Sequence, residues 1–418
     1  MRGPEPPANG ANFPFPQNRQ ANNCVYPGGY LNSDVEAAYA KWKNDLVTTS
    51  NAGGYMRVQR TATDGIDACR PLNSTVSEGI GYGMLLAVYM NDQTLFDNLW
   101  LYEQQNLDQN GLMNWAPDGS GNSCGGAATD ADEDMAFALL MADRQWGGQG
   151  MLKQSYMQTA ITQITNIWDW EIFDWNWLRA GDGNWATNAN INISYLAPAY
   201  YRAFAQADPS TCPQGTTIAQ ASTAKWGDAG NQYCDRWWGV LDQAYLTIAD
   251  SLNSANGNSG NGVVPAWCND SNGAPCTSAS GEPFNYQYDA CRTPFRIGLD
   301  WCWNSEPRAQ SYLGQISGFF NGIGAANIVD GYALNGAPQA ATTLPDGGVP
   351  LAAPFVGPAG VGAMSSGTYQ QFLNDTYTLV ASDELFVGGE YYASSWTVMS
   401  LLMMTGSFLD YTQQTPAQ

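Results

Sequence analysis

The chain has 418 residues, with 38 acidic and 16 basic side chains, no histidine and a formal net charge of −22 at pH 7. This charge repels phosphate backbones and anionic membrane surfaces, so nucleic acids and membranes are not expected partners. Because histidine is absent, carboxyl groups are the expected acids and bases of any proton transfer.

Composition divides the chain into a short arm and one long domain. Residues 1–21 are rich in proline, asparagine and glycine and are predicted to form an N-terminal arm, whereas residues 22–418 contain no linker and are predicted to form a single domain. Helical periodicity recurs from residue 33 onward and favours an all-α toroid. Residues 172–177 are predicted to form a loop hairpin, and the Gly/Pro/Ala-rich residues 333–367 an extended surface loop. The eleven predicted helices span residues 34–48, 78–90, 93–105, 132–146, 153–168, 193–207, 234–252, 294–303, 311–320, 369–379 and 391–405.

The first acidic segment opens a predicted helix at Glu78. From Ser77 the sequence Ser-Glu-Gly-Ile-Gly-Tyr-Gly-Met places three glycines at alternate positions, each costing roughly 1 kcal/mol of helix propensity relative to alanine. Close approach of a ligand or a neighbouring helix would offset that cost. Glu78 is therefore a candidate general acid, for which burial or a nearby carboxylate must raise the pKa. The alternative is that Glu78 only compensates the helix dipole.

The second acidic segment places Asp130, Asp132, Glu133 and Asp134 at the head of an otherwise apolar helix. Helical spacing puts Asp130 and Asp134 near one face and Asp132 roughly opposite, so at least one acid is expected to face inward. An alternative for Asp132 is a capping box with Thr129 as N-cap. A calcium-binding loop is a further alternative, although methionines stand where such a loop requires glycine and glutamate.

The third acidic segment ends in a predicted helix that starts with Thr293 as N-cap and Pro294 as first residue. Asp289 is left in the preceding turn, where it can point into a cleft, and Arg292 would hold it ionised. The alternative is a structural ion pair. Hydrolysis of a glycosidic bond with inversion needs one protonated carboxyl and one ionised carboxylate, and Glu78 and Asp289 suit those two roles.

Five segments together resemble glycoside hydrolase family 8. Residues 128–146 look like the signature of that family, and residues 77–84 and 288–292 resemble its two other acidic blocks. Residues 192–198 are similar to its Asn-x-Ser-Tyr segment, and residues 389–408 resemble its last inner helix. The resemblance implies an (α/α)6 barrel of six inner and six outer helices. It also implies a secreted, endo-acting β-1,4-glycanase that inverts configuration.

The resemblance assigns three carboxyl groups to the reaction. By this match Glu78 is the proton donor, Asp130 belongs to the catalytic centre and Asp289 is the general base. Further residues are expected to contact substrate or to steady the base and its water: Arg292, Asp132, and either Tyr391 or Tyr392.

Flat rings for sugar stacking are abundant, since the chain has 16 tryptophans, 22 tyrosines and 14 phenylalanines. Trp115, Tyr195 and Trp185 lie in loops at predicted helix ends and are the candidates for substrate contact, with core packing as the alternative for each. The expected partner is a β-1,4-linked polysaccharide bound by a monomer without metal or cofactor. Cellulose or mixed-linkage β-glucan is the first choice, and xylan or the polycation chitosan are alternatives. A non-catalytic carbohydrate-binding protein is the alternative from another class.

Nine cysteines form no Cys-x-x-Cys motif, which favours disulfides in an exported protein over a zinc site. Cys268 and Cys276 bracket a polar loop and are the first predicted pair, followed by Cys212 with Cys234. Cys291 is expected to be a small buried residue. The sequence shows neither a leader nor an apolar run of about 20 residues, as expected of a mature secreted chain.

Overall fold

Helices dominate the fold. The structure is a computed structural model that describes residues 10–61, 66–121, 124–174, 176–187, 189–208, 236–276, 284–339, 352–382 and 390–415. Twelve α-helices lie within these residues: α1 (Asn32–Leu46), α2 (Ser77–Tyr89), α3 (Gln93–Glu103), α4 (Thr129–Gln145), α5 (Tyr156–Glu171), α6 (Pro198–Ala207), α7 (Arg236–Ser251), α8 (Thr293–Asn304), α9 (Pro307–Ile323), α10 (Ala353–Ala363), α11 (Gln370–Ala381) and α12 (Tyr391–Met404).

Strands in the described residues are short and form three antiparallel pairs. The pair formed by Ile172–Phe173 and Trp177–Leu178 confirms the predicted hairpin. The strands are β1 (Val47–Thr48) paired with β2 (Arg57–Val58), β3 (Ile172–Phe173) with β4 (Trp177–Leu178), and β5 (Asn190–Asn192) with β6 (Trp267–Asn269).

Most residues of the even-numbered helices are buried, whereas the odd-numbered helices other than α3 bury one stripe of residues. All residues of α10 are buried. In α1 the buried residues are Val35, Tyr39, Trp42 and Leu46, spaced three or four positions apart. That spacing is typical of an amphipathic helix on the outside of a core. The two burial patterns therefore separate inner from outer helices.

Contacts between helices follow the same alternation. The even-numbered helices contact one another in chain order from α2 to α12, and α12 contacts α2. The odd-numbered helices lie outside this circuit: α3 packs on α2, α5 on α4, α7 on α6, α9 on α8, α11 on α10, and α1 on α12. The inner helices α2, α4 and α8 begin at or beside Glu78, Asp130 and Arg292, so this packing brings these three side chains together.

Glycine allows the first two inner helices to approach closely. A Cβ on Gly81 of α2 would lie 3.1 Å from the backbone oxygen of Ala131 and 3.1 Å from the Cβ of Asp134, both on α4. A Cβ on Gly79 would lie 3.3 Å from the Tyr391 ring. The glycines near Glu78 therefore serve close helix contact, as the sequence predicts.

The prediction of a surface loop over residues 333–367 is wrong for its second half, where α10 lies buried. Pro354 stands in the first turn, where its missing N–H costs nothing. The glycines permit close packing, because a Cβ on Gly357 would lie 2.8 Å from the Cβ of Ser400 on α12. Small residues here allow an inner helix to fit among its neighbours.

The capping box that the sequence offers as an alternative for Asp132 does not form. α4 starts at Thr129, and its N-cap residue Ala128 makes no side-chain cap. The Thr129 hydroxyl donates instead to the carbonyl of Arg179, at 2.9 Å. Asp132 therefore has no capping partner in Thr129.

The predicted disulfide between Cys268 and Cys276 is wrong, since both thiols are free. Cys268 lies opposite Pro275 in an antiparallel bridge, and the N–H of Cys276 donates to the carbonyl of Trp267 at 3.0 Å. Cys276 is thus in register with Trp267. Because side chains alternate between faces along a strand, Cys276 and Cys268 point to opposite faces.

Disulfides do occur, but they join segments that are far apart in sequence. The predicted pair Cys212–Cys234 lies outside the described residues. Cys291 is buried, as the sequence predicts. The disulfides in the described residues are Cys24–Cys302 and Cys69–Cys124.

The described part of the N-terminal arm packs on the helical body. Phe13 is buried and stacks on Tyr411, with ring centroids 4.2 Å apart. Its N–H donates to Oε1 of Gln145 at 2.7 Å. Within the described ranges, no helix combines the length and the apolar character needed to cross a bilayer.

Candidate active site

Glu78, Asp130 and Arg292 form the centre of the site. Nη1 of Arg292 donates to Oε2 of Glu78 and to Oδ2 of Asp130, each at 2.6 Å. Glu78 comes from the first turn of α2, Asp130 from the first turn of α4, and Arg292 immediately precedes α8. One guanidinium therefore binds two of the three carboxyl groups that the sequence singles out.

The surroundings of Glu78 favour its protonated form. Its side chain is only 17% exposed. Burial, the largest influence, raises the pKa of Glu78 to about 8, helped by Asp130 and opposed by Arg292 and Tyr391. A carboxyl with this pKa carries a proton at neutral pH, as a general acid must.

Arg292 is almost fully buried, with 1% of its side chain exposed. Its Nε donates to Oγ of Ser194 at 3.0 Å, and Nη1 also reaches the hydroxyl of Tyr82 at 3.2 Å. Its guanidinium lies 5.1 Å from the centre of the Tyr195 ring. The sequence assigns Arg292 to the base Asp289, but Nη2 is 3.7 Å from Oδ1 of that residue, farther than the contacts of Nη1.

Asp289 lies in the turn before α8, as predicted, and is more open than Glu78, with 31% of its side chain exposed. Its Oδ2 accepts a hydrogen bond from Nε1 of Trp267 at 3.0 Å and one from Nε2 of Gln287 at 3.3 Å. Donors of this kind stabilise the ionised form of a carboxyl group. Glu78 and Asp289 thus occupy contrasting environments on two sides of Arg292.

The two tyrosines at the start of α12 have different partners. The hydroxyl of Tyr391 donates to Oε1 of Glu78 at 2.8 Å. The hydroxyl of Tyr392 donates to the backbone carbonyl of Tyr288 at 2.6 Å. Tyr391 is therefore the tyrosine that contacts a candidate reacting carboxyl, and that carboxyl is the expected acid instead of the expected base.

Asp132 is not brought to the cleft. It is fully buried, and its Oδ1 accepts a hydrogen bond from Nε2 of Gln163 on α5 at 2.9 Å. Asp134 binds Arg296 of α8, and Asp130 binds Arg292. The three aspartates point to different partners from one helix, so they do not form the calcium loop that their alternation in sequence resembles.

The predicted aromatic platforms lie near the starts of the inner helices. The backbone carbonyl of Trp115 accepts the N–H of Ser77 at 2.9 Å, which places half-buried Trp115 beside the start of α2. Trp185 is half-buried in a turn whose Asp182 accepts the N–H of Ala127 at 2.6 Å, just before α4. Tyr195 is 8% exposed and packs against Arg292.

The sequence does not predict the contacts that four further residues make in the site. Ser194 lies inside the Asn-x-Ser-Tyr segment and Tyr82 inside the glycine-rich segment, so their positions carried a signal. Trp267 carried none, because its contact with Asp289 arises only when β6 packs against the turn before α8. Gln287 contacts Asp289 within that turn, two residues away, and no motif marked it. The four are Ser194, Tyr82, Trp267 and Gln287.

Two carboxyl groups in contrasting surroundings, on a helical scaffold, are the arrangement of a glycoside hydrolase. The comparisons with known proteins agree. The sequence matches the model of Glycosyl hydrolases family 8 over residues 31–223 and 225–406. The protein belongs to this family and is a glycoside hydrolase.

Characterised relatives cover nearly the whole chain. Endoglucanase A of Acetivibrio thermocellus is 34% identical over 381 residues, which are 90% of this chain and 69% of that protein. Endoglucanase C of Ruminiclostridium cellulolyticum is 35% identical over 406 residues, covering 95% of this chain and 77% of the relative. Among solved structures, the β-1,3-1,4-glucanase of Paenibacillus sp. X4 has a TM-score of 0.75 at 29% identity and covers 95% of this chain and 98% of its own.

Proposed function

We propose that the protein is a secreted, inverting endo-β-1,4-glucanase that hydrolyses internal bonds of cellulose or mixed-linkage β-glucan. The observation that carries the mechanism is the pair of carboxyl groups, Glu78 and Asp289, held in contrasting environments around Arg292. The names of the relatives, two endoglucanases and a β-1,3-1,4-glucanase, support a β-glucan as substrate.

Glu78 is the general acid in this proposal. A guanidinium donates hydrogen bonds and accepts none, so the oxygen of Glu78 that faces Arg292, Oε2, accepts in both protonation states. In this proposal the proton resides on Oε1, whose neighbour Tyr391 has a hydroxyl that can donate or accept. From Oε1 the proton passes to the glycosidic oxygen as the bond to the leaving sugar breaks. Because the pKa of Glu78 is raised to about 8, we expect kcat to fall as pH rises through about 8.

Asp289 is the general base. Its Oδ2 is held by two donors, which leaves Oδ1, on the side of Arg292, to accept a proton from water. Water activated there attacks the anomeric carbon on the face opposite the departing oxygen, so configuration inverts. In such enzymes the two carboxyl groups stand roughly 6.5–9.5 Å apart, which leaves room for that water.

Asp130 stands beside the acid, where it accepts from the same guanidinium nitrogen as Glu78. Its negative charge raises the pKa of Glu78, which keeps the acid protonated. A carboxylate in this position also stabilises the positive charge that develops on the sugar ring in the oxocarbenium-like transition state. Asp130 is therefore an electrostatic member of the centre in this proposal.

The closed circuit of even-numbered helices supports an (α/α)6 barrel. We assign residues 22–418 to this single catalytic domain and residues 1–21 to the arm. The two disulfides support secretion, because such bonds persist in oxidising surroundings. We propose a monomer that acts on a polysaccharide.

Substitution of the two carboxyl groups tests this function. Glu78→Gln and Asp289→Asn preserve shape and remove the proton donor and the base, so hydrolysis of barley β-glucan should fall by roughly 10²–10⁴-fold for each variant. Sugar binding, followed by titration calorimetry with an oligosaccharide, should survive. Full activity in either variant would contradict the mechanism, and wild-type protein that binds sugar without cleaving it would indicate a non-catalytic carbohydrate-binding protein.

The substrate and the stereochemistry are measured on the wild-type enzyme. Release of reducing ends is compared on carboxymethylcellulose, barley β-glucan, xylan and chitosan, with the highest rate expected on one of the two glucans. Preference for xylan or chitosan would replace the glucanase assignment with an endo-xylanase or a chitosanase. Proton NMR of the first product should show the α-anomer, and a β-anomer would exclude inversion.

A further inference from the structure

Trp267 is the residue that holds the carboxylate of Asp289 from outside its own segment. Its indole Nε1 donates to Oδ2 of Asp289 at 3.0 Å, across 22 residues of sequence. The other donor to Oδ2, Gln287, lies two residues away, and its Oε1 accepts the backbone N–H of Asp289 at 2.6 Å. Gln287 thus makes hydrogen bonds within the turn, whereas Trp267 connects the turn to a separate strand.

That strand connects to the acid side of the site. In the sheet of β5 and β6, Trp267 is paired with Asn192. Oδ1 of Asn192 accepts hydrogen bonds from the N–H and the hydroxyl of Ser194, at 3.1 and 2.9 Å. Oγ of Ser194 in turn accepts Nε of Arg292, whose Nη1 binds Glu78.

One small sheet therefore contacts Asp289 directly and is connected to Glu78 through Ser194 and Arg292. Its β6 strand holds Asp289 through the indole of Trp267, and the residues that follow β5 hold Arg292 through Ser194. The pair formed by Trp267 and Asn192 connects Asp289 to the guanidinium of Arg292, which binds Glu78. A rigid connection of this kind keeps two groups at a constant separation, which inversion requires if one water is to fit between base and sugar.

We propose that Trp267 is a positioning residue for the general base, which aims Oδ1 of Asp289 at the attacking water and stabilises the charge of the carboxylate. This inference rests on the proposed function and adds a residue to it. By occupying Oδ2, the indole leaves Oδ1 to receive the proton. Without the indole N–H, the carboxylate loses this contact and Oδ1 is aimed less well at the water, so kcat falls.

Other charged or titratable groups near Asp289 stay in place when the indole is replaced. Among the described residues these are the guanidinium of Arg292, the phenol of Tyr195 and the thiol of Cys291. The Tyr195 ring is 6.3 Å from the Trp267 ring, so phenylalanine at position 267 preserves a ring contact while removing the N–H. Trp267→Phe therefore isolates the hydrogen bond.

The test compares Trp267→Phe with a matched Trp303→Phe control. Trp303 stacks on Phe137 and Phe408, and its indole N–H has no hydrogen-bond partner in the part of the chain that the structure describes. We expect Trp267→Phe to lower kcat about tenfold, a fraction of what general acid–base catalysis supplies, with KM changed less than about twofold. The control should retain the wild-type kcat and KM. Wild-type kcat in Trp267→Phe overturns the inference.

A second measurement does not use the Trp267→Phe variant. In protein with ¹⁵N-labelled tryptophan, one indole N–H resonance should differ between wild type and Asp289→Asn, because the acceptor of the Trp267 hydrogen bond changes from a carboxylate to an amide. Identical indole resonances in the two proteins also overturn the inference. If Asp289→Asn retains full activity, the proposed function fails; if it is inactive and Trp267→Phe has wild-type kcat, the inference about Trp267 alone fails.

Discussion

Helix α4 carries buried carboxyl groups on two sides, and the two sides differ in whether arginine reaches them. Toward α8, Asp130 binds Arg292 and Asp134 binds Arg296. Toward α5, Asp132 binds only the amide of Gln163, and no salt bridge to it occurs among the described residues. Helix α4 thus buries two carboxyl groups beside an arginine on one side and a carboxyl group without a cation on the other.

The side without a cation extends to the neighbouring outer helices. Glu103 at the end of α3 and Glu171 at the end of α5 are fully buried, and both raise the pKa of Asp132. Burial raises the pKa of Glu103 to about 8, and burial raises the pKa of Glu171 well above its usual value. Burial thus favours the protonated, neutral form of all three groups. On the side that faces α8, by contrast, the neighbouring arginines favour the charged form of the carboxyl groups.

The comparison shows that burial alone does not distinguish a reacting carboxyl group. Glu78 and Glu103 both have a pKa raised to about 8, mainly by burial. Glu78 also keeps an exposed fraction of 17% and contacts Arg292 and Tyr391. Access to the cleft and oriented partners, in addition to the raised pKa, make a carboxyl group useful as an acid.

Replacement of Arg292 by lysine should have the largest effect on the side of α4 that faces α8, because it disrupts the contacts of the guanidinium with Glu78 and Asp130. Lysine retains the charge but cannot reach Ser194, Glu78 and Asp130 together as the planar guanidinium does. Because small displacements of reacting groups are costly, kcat on β-glucan should fall roughly 10²-fold or more. The control is Arg308→Lys, at a side chain that is 43% exposed and paired with Glu306 and Asp242, where activity should be unchanged. Wild-type kcat in Arg292→Lys would refute the central role of the guanidinium.

Replacement of Arg296 by methionine should affect stability more than catalysis. It leaves the buried Asp134 without its two-point partner, at a cost of about 3–5 kcal/mol in the free energy of unfolding. Urea denaturation measures this loss. The double variant Asp134→Leu/Arg296→Met should recover part of it, because no uncompensated charge remains. A single variant as stable as wild type would show that the pair contributes nothing.

Replacement of Glu103 by glutamine tests the side without a cation through the pH dependence of the free energy of unfolding. The folded-state pKa of about 8 exceeds the ordinary 4.5, so the folded protein holds a proton that the unfolded chain loses between those values. Its contribution to stability is complete below about 4.5 and is lost as pH rises toward 8, by about 1 kcal/mol per pH unit. Glu103→Gln should flatten this slope in unfolding experiments between pH 5 and 8.

A matched control for this slope is Asp45→Asn. Asp45 lies at the surface beside Lys41, whose hydrogen bond lowers its pKa, so it titrates below this range. The slope between pH 5 and 8 should be the same as in wild type. An equal slope in Glu103→Gln and wild type would contradict the neutral state of Glu103.

Much of the helical architecture could be predicted from periodicity, because amphipathic outer helices carry a regular stripe of apolar residues. The exception is α10, whose glycines and prolines indicate a loop when read locally. Its helix forms because small residues allow it to pack among α8, α11 and α12, and this packing outweighs their poor helix propensity. No local pattern in the sequence records such an environment.

The sequence by itself identified the candidate catalytic acids. Without histidine, proton transfer falls to carboxyl groups, and the segments around Glu78, Asp130 and Asp289 could be recognised from short-range patterns and from their resemblance to family 8. The tertiary structure decided their partners. Tyr391 contacts Glu78, the proposed acid, and Trp267 contacts Asp289, the proposed base, while Asp132 lies outside the cleft. These outcomes depend on contacts between residues far apart in the chain, and hydrogen bonds across such distances arise only when the helices and the small sheet have packed.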